Sequence, residues 1–288
     1  MTLFKNSRHV YLSGETQISV NIVPEIVFSR KEPAFFEFQI NSNTCGSFSF
    51  RLIGTETVIN KKAEKHMFLD RKYKINLVEN NQQLRQLISP EGLLCSVKLK
   101  NASIKYKVEF YFNKINICTA KLAVITPSVF KHNLLMNHQL FANPSNLLFS
   151  VEGSRILFIH SEEDIQFLIS PFRPKLVIVG SQKITKISFS LVEETGFKVR
   201  YRPHSWDPAM NVVKKDERKL LEIDLLPEEF DIKEGTVCVP LEILQLEGFV
   251  EPDVKGNYIS IRHSLVVNVH VVDGHKYSLH TPVQVISK

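Results

Sequence analysis

Ile104-Lys105-Tyr106-Lys107-Val108-Glu109-Phe110-Tyr111-Phe112 is the stretch on which the fold turns. Ile104, Tyr106, Val108, Phe110 and Phe112 are apolar at every second position, with Lys105, Lys107, Glu109 and Tyr111 between them. A period of two is the period of a strand: it lays one set of side chains on a core and turns the other to solvent.

The same pattern recurs along the chain. Ile259, Ile261, His263, Leu265, Val267, Val269 and Val271 alternate with Ser260, Arg262, Ser264, Asn268 and His270. Shorter copies are Ile18/Val20/Ile22, Phe36/Phe38/Ile40, Phe48/Phe50/Leu52, Ile187/Phe189/Leu191, Leu221/Ile223/Leu225 and Leu279/Thr281/Val283/Val285. Turn signals fall between them at Ser13-Gly14, Asn41-Ser42-Asn43, Pro90-Glu91-Gly92, Asp207-Pro208, Lys233-Glu234-Gly235 and Asp273-Gly274. Many short strands separated by turns predict an all-β chain of sandwiches. Helical spacing is scarce, and its best candidates are 79–87 and 161–167.

The chain has 288 residues, 43% hydrophobic and 23% charged, which suits two globular domains. The expected division is a first β-sandwich over 1–130, a linker over 131–145 and a second β-sandwich over 146–288. The cut is placed by Pro127, Pro144-Ser145 and the polar runs Lys131-His132-Asn133 and Asn137-His138-Gln139. The start, Met1-Thr2-Leu3-Phe4-Lys5-Asn6, opens no apolar signal region, and no apolar run approaches the roughly 20 residues of a membrane helix. The expectation is a soluble cytoplasmic protein, at most peripheral at an endosomal or plasma membrane. In that compartment Cys45, Cys95, Cys118 and Cys238 read as reduced core cysteines, and Asn101-Ala102-Ser103 as an unused glycosylation match.

Signatures of chemistry are missing. The sequence holds no G-x-G-x-x-G, phosphate-binding loop, G-x-S-x-G or H-E-x-x-H. His263 and His270 sit at opposite parity on one strand and cannot share a metal there; His263 reads as a core histidine and His275 as a hairpin tip. Glu162-Glu163, Glu193-Glu194 and Glu228-Glu229 are neighbours, and neighbouring strand residues face apart, so none reads as a catalytic pair. The reading is therefore a protein that is not an enzyme and has no catalytic residue, cofactor or metal. Trp206 reads as the cover of a sandwich end or a partner anchor. Leu220-Leu221-Glu222-Ile223-Asp224 fits a short clathrin-binding pattern, and equally an ordinary strand that turns Leu221, Ile223 and Leu225 inward.

The net charge of +6 is uneven: residues 1–140 carry 19 basic and 10 acidic side chains, and the remainder 17 and 20. Basic residues gather at Lys61, Lys62, Lys65 and His66, and at Arg71, Lys72 and Lys74. Lys98, Lys100, Lys105 and Lys107 form a second group, which strand alternation aligns on one exposed face. These four are the candidate site, and its expected ligand is anionic: phospholipid or phosphorylated peptide. No recognition helix or single-strand module is present, so nucleic acid is not an expected partner.

The order of the strands resembles the arrestin superfamily, above all the fungal-type arrestin-related trafficking adaptors. Val10 to Val20 is similar to the family's opening strand, P-G-[ED] turn and next strand, with Ser13 in the proline's place. Ile104 to Glu109 resembles its I-x-Y-x-[LV] strand, and Lys121 to Pro127 the strand closing the first domain. Asp164 to Pro171 resembles the strand opening the second domain, and Gly180 to Leu191 its glycine-led strand. Ile259 to Val267 resembles I-x-[VI]-x-H-x-L-x-[VI], and Thr281 to Ile286 the final [LI]-P-[VI]-x-[IV] strand. The resemblance implies two tandem immunoglobulin-like, arrestin-type sandwiches. It further implies an adaptor in trafficking or signalling, with membrane-protein cargo or coat and adaptor proteins as partners. An arrestin-fold subunit of an endosomal coat, similar to the one in retromer, is the alternative; an enzyme is the contrasting class. None of the 13 prolines adjoins another, so no P-P-x-Y motif exists to dock a WW-domain ubiquitin ligase. The sequence stops at Lys288 just after the last expected strand, so the long tail of such adaptors is not expected either.

Overall fold

The computed structural model describes residues 7–13, 16–23, 25–27, 35–60, 62–76, 81–89, 91–125, 135–142, 147–154, 156–159, 165–167, 175–180, 183–201, 210–230, 232–233, 236–240 and 250–287. Trp206, Glu162-Glu163 and the 131–134 and 143–145 parts of the expected linker lie outside the described residues. Strand dominates what is described, and the only helical element among the described residues is a single 3-10 turn at Pro227–Glu229. The chain divides into two compact units. The first is Met1–Pro127 with Phe197–Val213 and Lys255–Ile259; the second is Ser128–Gly196, Lys214–Val254 and Ser260–Lys288.

The strands of the first unit are β1 (Ser7–Ser13), β2 (Thr16–Ile22), β3 (Glu25–Val27), β4 (Phe35–Ser42), β5 (Ser47–Asn60), β6 (Lys62–Asn76), β7 (Asn81–Leu87), β8 (Val97–Lys98), β9 (Ala102–Phe112) and β10 (Ile115–Ile125). One sheet runs β1-β2-β4-β7. The other runs β3-β10-β9-β5-β6, with β8 beside β9. Alternation in the sequence becomes a shared core. Phe36 and Phe38 on β4 meet Phe50 and Phe110 from the opposite sheet at ring-centroid distances of 5.1 to 6.2 Å. Phe36, Phe50 and Phe110 are fully buried, and tilted or edge-on rings at these distances add to the burial itself.

The remaining strands are β11 (Leu135–Ala142), β12 (Leu147–Ser154), β13 (Ile156–Ile159), β14 (Ile165–Phe167), β15 (Lys175–Val179), β16 (Ile184–Tyr201), β17 (Met210–Leu225), β18 (Ile232–Lys233), β19 (Thr236–Pro240), β20 (Val254–Lys255), β21 (Ile259–Val271) and β22 (Lys276–Ser287); they build the second unit, apart from the stretches within Phe197–Val213 and Lys255–Ile259 that belong to the first. These strands form two sheets, β11-β12-β15-β19-β18 and β14-β13-β22-β21-β16-β17, with β20 beside β21. Val151, Leu176 and Ile178 from the first pack with Ile187, Phe189, Leu265, Val267 and Val283 from the second in one buried cluster. In each unit a short strand joins the end of a longer one in parallel, β3 on β10 and β13 on β22. The remaining registered pairs are antiparallel, as hairpin connections require.

Several expectations need correction. Residues 135–142, read as linker, form β11, paired along its length with β12. Asn137-His138-Gln139 hid the strand, because polar residues interrupt the alternation. Three strands of the second unit thus precede Asp164–Pro171, which therefore does not open it. The helical candidates 79–87 and 161–167 contain β7 and β14, each paired with a neighbouring strand. Cys45 is exposed between β4 and β5 and is no core residue. Cys95 is buried and Cys118 half-buried, and burial raises the Cys118 thiol to about 11.

Candidate functional site

The outward face of β5, β6 and β9 carries the polar half of the alternation. Register aligns it in rows: Lys72 beside Arg51 beside Glu109, and Lys74 beside Ser49 beside Tyr111. Further along, Ile53 lies between Asp70 and Lys107, and Lys107 faces Lys121 on β10. Lys105 and Lys107 are exposed on this face. Lys98 on β8 lies opposite Ser103 on β9 and so shares the parity of Lys105, and Lys100 is exposed in the following turn. Lys98, Lys105 and Lys107 therefore lie on one side of one sheet, with Lys100 in the turn between β8 and β9.

Their charges are not equally available. Lys107 Nζ donates to Glu109 Oε1 at 2.6 Å, and Tyr111 Oη donates to Glu109 Oε2 at 2.6 Å. The Lys107 hydrogen bond first, and that of Tyr111 second, hold the Glu109 carboxyl below its ordinary 4.5. Accepting the phenol proton raises Tyr111 in turn. Arg51 makes a two-pronged pair with Asp70, Nε to Oδ1 at 2.6 Å and Nη2 to Oδ2 at 2.5 Å, which lowers the Asp70 carboxyl. Glu109, expected at the surface, is only 9% exposed, because Lys107, Tyr111 and Arg51, whose Nη1 lies 3.9 Å from Glu109 Oε2, close over it. Lys100 and Lys105 have no carboxylate partner among the described residues. Arg71, counted in the basic run, points the other way. It donates to the carbonyls of Ser89, at 2.7 Å, and Glu91.

A second polar feature escaped the sequence reading. Glu56 on β5 is fully buried. Its carboxylate accepts the backbone N–H groups of Asn257 at 3.0 Å, Tyr258 at 2.6 Å and Ile259 at 3.1 Å, all within the first unit. Gly256 leaves the room: a Cβ there would stand 2.6 Å from Glu56 Oε1. Beside it the rings of His66 and Tyr258 stack at 3.6 Å.

In the second unit His263 is 2% exposed and its Nδ1 bonds Asp253. Its Nε2 lies 3.5 Å from Glu193 Oε2, an ion-pair distance without a hydrogen bond, and Arg218 Nη2 reaches the same oxygen at 3.2 Å. Burial acts to lower the imidazole's pKa, but Asp253 and Glu193 outweigh it and hold it above 6.5. Burial raises the Asp253 carboxyl. It acts in the same sense on Glu193, where His263 and Arg218 outweigh it, so that group titrates below 4.5. His270 falls on the opposite face of β21, and His275 in the turn that closes β21 onto β22. No group of three or more metal-ligating side chains is positioned for an ion among the described residues. Glu193 and Glu194 part as alternation requires, Glu194 pairing with Lys215 at 2.9 Å. Leu221 and Ile223 are half-buried against the core, so 220–224 is a strand whose apolar side chains turn inward.

What the fold defines is a class: an all-β chain of two arrestin-type β-sandwich units. Among solved structures the chain is similar to squid arrestin, with a TM-score of 0.54 over 98% of each chain and 9% sequence identity. At that identity the likeness is one of fold. No protein-family profile matches the sequence, and no curated protein matches it. No helix among the described residues is long and apolar enough to cross a membrane.

Proposed function

We propose that the chain is an arrestin-like adaptor, of the fungal trafficking type, linking membrane-protein cargo or coat components to partners in intracellular trafficking or signalling. The observation that carries this reading is the extent of the fold likeness. It takes in both units and nearly the full length of both chains, not one common sandwich. On this reading the protein works by binding and not by catalysis, at the cytoplasmic side of an endosomal or plasma membrane. With no P-P-x-Y in the sequence, a ligase would reach it by way of another protein. The lysine row Lys98, Lys100, Lys105 and Lys107 is the candidate surface for anionic phospholipid, with Lys100 and Lys105 its uncompensated charges.

Affinity capture of the tagged full chain from cells, read by mass spectrometry, tests the proposal. An adaptor should bring down membrane proteins in variable amounts. A stoichiometric set of soluble subunits would mark a coat component instead. Recovery of neither would sink both. For the lysine row, the quadruple exchange of Lys98, Lys100, Lys105 and Lys107 to Glu should abolish the share of phosphoinositide-vesicle binding that this row carries while leaving the fold intact. The parent's binding should weaken with salt, since exposed charges are screened beyond about 8–10 Å.

A further inference from the structure

At the far end of the same outward face, away from β8, the surface is hollowed. A concavity of about 700 Å³ opens between the start of β5, the end of β6 and the β9–β10 turn. That lies within the roughly 300–1,000 Å³ of small-molecule sites. Its single lining carboxylate, Asp70, is engaged by Arg51. Lys72, Lys74 and Lys114 also line it, and none has a carboxylate partner among the described residues. Three ammonium groups around one hollow repel each other and raise its potential, a cost that a bound anion relieves. Ser47 and Ser49 also line it, residues whose hydroxyls can donate to an anion. Lys72 Nζ sits 5.9 Å from the Tyr111 ring centroid, which helps to hold its stem.

The turn supplies an independent sign. Asn113 and Lys114 have φ of 47° and 71°, the positive values of a two-residue primed hairpin turn. The second position of such a turn favours glycine, since any Cβ there crowds the following carbonyl. Here a lysine occupies it. The turn is also strapped down: Asn113 N–H donates to Ser47 O at 2.9 Å, and Ser47 N–H to Asn113 Oδ1 at 3.1 Å. A strained residue held in place by its surroundings is characteristic of a ligand clamp. The fold gains nothing from this lysine that glycine would not give, and the hollow gains its third cation.

We propose that this concavity is a site for a polyphosphorylated ligand, whose adjacent phosphoryl groups bridge Lys72, Lys74 and Lys114. Three cations on one side fit clustered negative charge better than a lone carboxylate. The site is separate from the Lys98–Lys107 row and does not depend on the adaptor role. A chain that captured no membrane protein would still bind the anion.

The full chain is titrated with inorganic tripolyphosphate by calorimetry, and in parallel with phosphatidylcholine vesicles with and without phosphatidylinositol bisphosphate. Binding is expected in at least one arm, weakening as salt rises. Tripolyphosphate alone would identify a free ligand, and the vesicle alone a lipid headgroup. Lys114→Gly and Lys72→Gln should each weaken binding about tenfold, the equivalent of one charge-assisted hydrogen bond. Lys114→Gly should do so with an unfolding temperature equal to or above the parent's, which separates loss of a ligand contact from loss of fold. Lys65→Gln, an exposed lysine of β6 outside both the hollow and the Lys98–Lys107 row, should bind as the parent does. The proposal is overturned if the parent binds in neither arm, or if Lys114→Gly and Lys72→Gln bind unchanged. It is equally overturned if Lys65→Gln alone abolishes binding.

Discussion

Removing the Glu56 carboxylate should be among the most damaging single changes in the first unit. In Glu56→Ala, three backbone donors lose their acceptor at once: Asn257, Tyr258 and Ile259, now bonded at 3.0, 2.6 and 3.1 Å. A hydrogen bond to a charged group contributes roughly 1.5–3 kcal/mol net, and a buried donor left without a partner costs about 1–3 kcal/mol. The three do not simply add. Asn257 is exposed and water would take its N–H, whereas Ile259 is 1% exposed and its N–H would stay unpaired. Counting one full loss at Ile259, one at the half-buried Tyr258 and little at Asn257 gives about 3–5 kcal/mol, at the top of the range for single substitutions. Glu56→Gln keeps one carbonyl acceptor but turns an NH2 toward a donor, and should cost about half as much.

The assay is urea unfolding of the full chain, with amide exchange read at residues 257–259. Both variants should shift the first transition to lower urea. Exchange at Ile259 should accelerate far more than at the β9 core residues Val108 and Phe110. A loss below about 1 kcal/mol in Glu56→Ala, or unchanged exchange at Ile259, would refute the reasoning, because a buried trident of this kind cannot be removed without cost.

Three further outcomes follow from the geometry. His263 carries a folded pKa above its ordinary 6.5, so its stabilisation is complete below that value and is lost as pH rises through the folded pKa. Unfolding free energy should therefore fall as pH rises from about 6.5 through the higher folded pKa in the parent and stay flatter in His263→Gln, by denaturant titration at each pH. Gly54→Ala would place a Cβ 2.6 Å from Phe68 Cζ and 2.9 Å from Tyr106 Cε1. Tyr106 cannot yield, because its hydroxyl is bonded to both Leu94 N and Leu94 O at 2.8 Å, so a loss of about 1–3 kcal/mol is expected in thermal unfolding. Lys114→Gly relieves the left-handed lysine and should stabilise the chain by about 1 kcal/mol, read as a higher unfolding midpoint; a lower midpoint would show that the turn carries no strain.

The sequence made the strands legible wherever one face is core. Along Ile259–Val271 every residue at the apolar parity is buried, His263 included, and the intervening ones are not. Legibility failed where pairing outweighs composition. Asn81–Leu87 has no β-branched residue, yet it is an edge strand because β4 offers it a partner. β17 runs from Met210, far beyond its alternating end at Leu221–Leu225, because residues 210–219 are exposed and nothing imposes a period on them. Of the outward lysines, Lys105 and Lys107 could be placed by parity alone. Their unequal worth could not, because Glu109 chooses Lys107 only once its neighbours are set. Glu56 left no trace: it stands between two threonines and meets its partners about 200 residues away.

That contrast has a physical root which bears on where function can sit in this chain. On β9 the inward residues Val108 and Phe110 are fixed by the opposite sheet, and any change of volume is felt at once. The outward residues Lys105 and Lys107 touch mostly water, and exchanging them alters stability little. A binding face built on outward parity is thus nearly independent of the fold that carries it, and a shared sandwich says little of its ligand. The exceptions are the places where an outward residue does cost the fold something. Lys114 is one, a lysine in a left-handed turn where glycine would be more stable. A cost of that kind needs a compensating use, and the hollow beside it, with two more uncompensated lysines, provides one.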